Sequence, residues 1–168
     1  MPKAKRKTKA PGFFDIQEYL STAPCVPALR NAVSSWRASS YKGVTDTTRE
    51  LLNHWFNTDH RLSNGQGFKY HLAQREAIET LIYLFEVEKV RSRKTLLERY
   101  AFQSKDLRLP PYDDFARYCI KMATGSGKTK VMALAIVWQY FNAVRENPKD
   151  NAKTFLIVAP NVIVFERL

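Results

Sequence analysis

Met122-Ala123-Thr124-Gly125-Ser126-Gly127-Lys128-Thr129 joins two stretches of different character. Before it, Phe115–Met122 reads as a short strand. After it, Lys128–Arg145 reads as a helix that is apolar on almost every side, through Val131, Leu134, Ala135, Ile136, Val137, Trp138 and Phe141. A helix of that kind is expected to be buried. Asn147-Pro148 ends it. Thr154–Ala159 then forms a continuous apolar, β-rich run, the pattern of a strand covered on both faces. Strand, helix, strand is a βαβ unit, which predicts a parallel sheet and a right-handed crossover. The expected class is α/β, a parallel sheet with flanking helices.

The turn inside this unit has the chemistry of a phosphate cradle. Glycines at 125 and 127 let the backbone turn tightly and aim successive N–H groups inward. The helix starting at Lys128 adds the positive end of its dipole. The Lys128 ammonium is expected to reach the β- and γ-phosphates, and the Thr129 hydroxyl to ligate Mg²⁺. Average composition yields G-K-[ST] by chance in about one chain in ten of this length, and in under about one in a hundred once Gly125 is required. Met122 departs from the strict pattern, which has a small residue five positions before Gly127.

Met-Ala-Thr-Gly-Ser-Gly-Lys-Thr resembles motif I of superfamily 2 helicases, closest to the translocating ATPase subunits of type I and type III restriction enzymes. Val158-Ala159-Pro160-Asn161 resembles motif Ia, which in that family touches the nucleic-acid backbone, so Pro160 and Asn161 become candidate contacts. His71-Leu72-Ala73-Gln74-Arg75-Glu76-Ala77-Ile78 resembles the Q motif, whose glutamine reads adenine. An amide suits that task, because it pairs bidentately with the adenine edge. Ala73 stands where the family often has an aromatic residue, and Phe68 or Tyr70 could stack on the base instead. The resemblance covers residues 68–168 and implies an incomplete RecA-like domain 1 that uses ATP and Mg²⁺. Thr124, Gly125, Ser126, Gly127, Lys128, Thr129 and Gln74 are the expected cofactor-binding residues, with Lys128 and Thr129 also catalytic. It implies an ATP-dependent helicase or translocase on DNA, with RNA left open, and a modification or nuclease subunit as partner.

The rest of the chain is organised around that domain. Residues 1–12 are lysine-rich and expected to be a disordered basic arm. Residues 13–67 form an accessory region, expected to be mainly helical. Phe13–Leu20 looks like a short helix, broken by Pro24 and Pro27. Asp46 or Thr47 could cap a helix carrying Leu51, Leu52, Trp55 and Phe56. Trp36, Tyr41, Trp55 and Phe56 read as core, with base stacking beside Arg37, Lys42 and Arg49 as the alternative. Residues 63–67 signal a turn. Residues 70–90 predict a helix with Ile78, Leu81, Ile82 and Phe85 on one stripe and Glu76, Glu79, Glu86 and Lys89 off it. Residues 91–112 read as a basic insertion, helical near Leu96–Phe102.

Composition narrows the classes further. The 168 residues carry 27 Lys and Arg against 16 Asp and Glu, a net charge of +11 that favours a polyanionic partner. Lys3, Lys5, Arg6, Lys7 and Lys9 all precede the first acid, Asp15. Cys25 and Cys119 are too few for a disulfide framework and read as reduced thiols in a cytoplasmic protein. Neither cysteine joins His54, His60 or His71 at a metal-binding spacing. The longest apolar runs fall short of the roughly 20 residues a membrane span needs.

A superfamily 2 motor also needs an Asp-Glu pair, one residue for Mg²⁺ and one to orient water. No D-E-x-H or D-E-x-D occurs, and Asp113-Asp114 lie at the wrong end of the first strand. With two strands where the class has several, the chain is expected to be the N-terminal part of a larger ATPase, unable to hydrolyse ATP alone. Two alternatives stand beside this. One is another phosphate-loop class, although a GTPase needs Asn-Lys-x-Asp, which does not occur. The other is a basic nucleic-acid-binding module with a relic loop.

Overall fold

A computed structural model describes residues 24–101 and 116–158. The arm at 1–12, the short helix at Phe13–Leu20, Asp113-Asp114, Pro160 and Asn161 lie outside the described residues. Helices α1 (Val26–Ala38), α2 (Asp46–Asn57), α3 (Leu72–Ile82), α4 (Arg93–Tyr100) and α5 (Lys128–Arg145) dominate. A two-residue antiparallel hairpin joins α2 to α3, pairing β1 (His60–Arg61) with β2 (Gly67–Phe68).

The described residues fall into two compact units. The first comprises 24–32, 90–101 and 116–117. Its α4 starts at Ser92, whose Oγ accepts from the Thr95 N–H at 3.0 Å, an ordinary serine cap. The Cys25 Sγ contacts the Leu96 carbonyl at 4.0 Å, and burial pushes the thiol's pKa up.

The second unit comprises 33–89 and 118–158 and holds the main core. Leu52, Ile78, Ile82 and Trp138 are buried at its centre, with Val33, Trp36, Tyr41, Trp55 and Leu134 around them. The aromatic residues of the accessory region are therefore core, and Phe56 packs against it half-buried. The α2 cap is Thr45, one residue before the expected position, with its Oγ1 accepting from Thr48 N–H at 3.2 Å. The turn at 63–67 forms around Gly65, whose φ is +79°.

The stripe on α3 is as expected, but its charged residues are not. Glu79 is completely buried. Its carboxylate accepts from Arg37, from Arg75 Nε at 2.8 Å and from the Tyr41 hydroxyl at 2.6 Å. These donors replace the hydration that burial removes. The hydrogen bond to Glu79 raises the Arg37 pKa; burial first, then the bond to Glu79, raises that of Tyr41. After Ile82 the helix widens into one π-helical turn, Tyr83–Val87. Glu86 on that turn accepts from the Thr45 N–H, from Thr48 Oγ1 at 2.7 Å and from Trp138 Nε1 at 3.1 Å. It ties α2 and α5 together. Among the described residues, no buried side-chain nitrogen or oxygen lacks a partner.

At the far end of α5, the Glu146 carboxylate accepts from the Thr47 Oγ1 at 2.6 Å and the Thr47 N–H at 3.1 Å. It thus supplies an acceptor to the first turn of α2. The Thr47 side chain and then its N–H hold the Glu146 pKa below the usual carboxylate value.

Two expectations need correction. Neither 116–122 nor 154–158 forms a strand; the hairpin is the one sheet among the described residues. Leu156 and Val158 are 90% and 82% exposed. A strand buried on both faces is stable only with paired neighbours and covering layers, and neither run has such a neighbour among the described residues. The second correction follows from the first. The helix α5 buries Val131, Leu134, Trp138, Asn142 and Ala143 but leaves Tyr140, Phe141 and Val144 exposed, so it is not buried all round.

Candidate nucleotide-binding site

The loop preceding α5 takes the shape its glycines permit. Gly125 has φ +78°, and Gly127 has φ +82° with ψ +41°. Both values lie in the left-handed region that side-chain-bearing residues avoid. Between them Ser126 closes the turn, its Oγ donating to the Ala123 carbonyl at 2.6 Å and its N–H to the same oxygen at 3.3 Å.

Gly127 is the N-cap of α5 and brings no side-chain acceptor to the helix. The first N–H groups of a helix have no intrahelical partner. They therefore point out at the loop with the positive end of the dipole behind them. Lys128 and Thr129, in the first turn, are both exposed. The Lys128 Nζ folds back and donates to the carbonyls of Ala123 at 3.0 Å and Met122 at 3.3 Å. Thr124 and Gly125 are exposed as well, and Ser126 is half-buried. The structure thus gathers 124–129 into one turn with an ammonium, a hydroxyl and free-facing amides.

Gln74 lies against the same turn. Its Nε2 donates to the Ser126 carbonyl at 3.0 Å, and its Oε1 accepts from the His71 N–H at 3.0 Å. The second bond caps α3 by reaching back to the residue before it. The side chain is 5% exposed. An aromatic group flanks the turn too: Lys130 Nζ stands 5.7 Å from the centre of the Phe68 ring, which packs edge-on against Tyr70 at 4.9 Å.

Residues 67–168 match the family described as type III restriction enzyme, res subunit. The chain belongs to that family. It is a superfamily 2 helicase family with a RecA-like domain. No curated protein and no solved structure matches the chain. The res-subunit match begins at Gly67 in β2 and takes in α3, α4 and α5. The accessory residues Trp36, Arg37, Tyr41, Thr45 and Thr48, which hold the family domain's Glu79, Glu86 and Trp138, precede it.

The donor set suits magnesium that arrives with phosphate. Thr129 offers one neutral hydroxyl, and Mg²⁺ commonly keeps its waters and takes its remaining ligands from phosphate oxygens. Among the described residues, no cluster of three His, Cys, Asp or Glu side chains could hold a metal ion. No helix among them is long and apolar enough to cross a membrane.

Sequence reasoning missed the contact of Gln74 with Ser126 and the two buried carboxylates. Arg75 and Glu79 sit at i, i+4, a spacing that hints at an ion pair. Arg37 and Tyr41 carry no such signal, because they lie 42 and 38 residues from Glu79.

Proposed function

We propose that the chain binds ATP with Mg²⁺ on residues 124–129, as the nucleotide-binding part of an ATP-dependent DNA helicase or translocase of restriction type. The observation that carries this reading is the pair of left-handed glycines leading into α5, with the Lys128 ammonium lying on the carbonyls of that same turn. Those two carbonyls are weak partners for a cation. Triphosphate oxygens offer full charge, so Lys128 transfers to them when nucleotide binds. The amides of Gly125 to Thr129 then face the phosphates, and the Thr129 hydroxyl is the protein's ligand to the metal. Mg²⁺, when bound, neutralises phosphate charge and fixes the β- and γ-oxygens.

Pro160 and Asn161 are proposed to meet the nucleic-acid backbone, supported by the motif Ia resemblance and the basic composition. Hydrolysis is proposed to need an Asp-Glu pair, which residues 1–168 do not contain. A modification or nuclease subunit remains the proposed partner.

The test is calorimetric titration of the chain with MgATP beside Lys128→Ala. Hydrogen bonds to charged groups contribute about 1.5–3 kcal/mol. The substitution is therefore expected to weaken binding about 10- to 100-fold, with no turnover in either protein. Binding of equal strength in both proteins would contradict the reading. So would nucleotide-independent DNA binding as the chain's one activity.

A further inference from the structure

We propose that Gln74 is a positioning residue for the phosphate loop, acting on the Ser126 carbonyl irrespective of the base of the nucleotide. The proposal rests on the reading of 124–129 as a nucleotide site. Both ends of the amide are already engaged by the protein, Oε1 with the His71 N–H and Nε2 with the Ser126 carbonyl. At 5% exposure the edge that would read adenine is covered. The amide also fills the space beside Gly127, where an added Cβ would stand 2.1 Å from Nε2. Ser126 lies between the two left-handed glycines, at the middle of the turn.

Turning the Ser126 carbonyl towards α3 has a definite consequence. The same peptide plane carries the Gly127 N–H on its opposite side. Fixing the oxygen therefore fixes that N–H facing away from α3, as one of the amides that would meet phosphate. Preorganised amides need no reorientation when the anion arrives. Gln74 thus acts on the triphosphate through the backbone of the loop, and the base plays no part in it.

The carboxamide does two jobs that a substitution can separate. Gln74→Glu keeps an oxygen to accept from His71 N–H and so keeps the cap of α3. It replaces the donor to Ser126 with a second oxygen that repels the carbonyl. Gln74→Met loses both. The experiment measures dissociation constants for MgATP, MgGTP and magnesium tripolyphosphate with the full chain and both variants, and melting temperatures without ligand.

The expected result is that Gln74→Glu melts close to the parent protein yet binds all three ligands more weakly, by one shared factor of roughly 3 to 30. The parent itself is expected to bind MgATP and MgGTP within about three-fold of each other. A loss confined to MgATP, with tripolyphosphate unchanged, would mean the amide reads adenine and overturns the proposal. Parent-like affinity in a folded Gln74→Glu overturns it too, because that is what a purely structural cap predicts. If both variants fail to fold, the parent protein decides: preference for MgATP over MgGTP and tripolyphosphate beyond about ten-fold overturns the proposal. A parent protein that binds none of the three ligands removes the nucleotide reading itself, and this proposal with it.

Discussion

Replacing Glu79 with alanine is expected to lower the stability of the chain by about 3–5 kcal/mol, the cost of leaving buried cationic partners without their anion. Glu79 is fully buried, and the guanidinium groups of Arg37 and Arg75 are both three-quarters covered. Removing the carboxylate leaves two positive charges close together, with the Tyr41 hydroxyl as their remaining polar neighbour. Tyr41 also stands at φ +57°, a backbone strain that the packing around it must hold in place. Urea unfolding of Glu79→Ala checks the magnitude. Glu79→Gln keeps the shape and acceptor oxygen, so it is expected to lose less. A change below about 1 kcal/mol for the alanine variant would show that the cluster is no more than a surface ion pair.

Gly127→Ala is expected to be the most damaging single-methyl change in the loop. At φ +82° any L side chain costs about 1–2 kcal/mol. The new Cβ would also drive into the Gln74 amide, which is locked at both ends and cannot retreat cheaply. Gly65 supplies the control. Its φ is +79°, nearly the same, but nothing lies within 4 Å of an added Cβ. Gly65→Ala should therefore show the backbone cost alone and leave nucleotide affinity unchanged. Gly127→Ala should show that cost plus a loss of MgATP affinity of at least about ten-fold. Equal effects of the two substitutions on both readouts would contradict the described contact.

What was legible in the sequence was whatever depends on neighbours along the chain. The α5 start, the glycine turn, the apolar stripe of α3 and the turn at Gly65 all follow from local spacing. What was not legible depends on distant partners. Glu79 reads as a solvent-facing acid because its position on the helix is off the apolar stripe; its donors Arg37 and Tyr41 come from another segment entirely. Glu86 is hidden for the same reason, and a π-helical turn at Tyr83–Val87 breaks the simple periodicity that placed it. The strands at 116–122 and 154–158 were read from composition, which reports what could be buried. A strand exists only where paired neighbours complete its hydrogen bonds. Gln74 was singled out correctly as a residue to watch, and its contact with Ser126, 52 positions away, is a fact of the tertiary fold alone.

The most direct measurement is an amide-resolved NMR titration of the chain with MgATP, repeated on Lys128→Ala. The account predicts saturable shifts that are largest at Gly125, Ser126, Gly127, Lys128 and Thr129, and that vanish in the variant at the same concentrations. Shifts centred elsewhere, or the same shifts in both proteins, would contradict the assignment of the triphosphate to this loop.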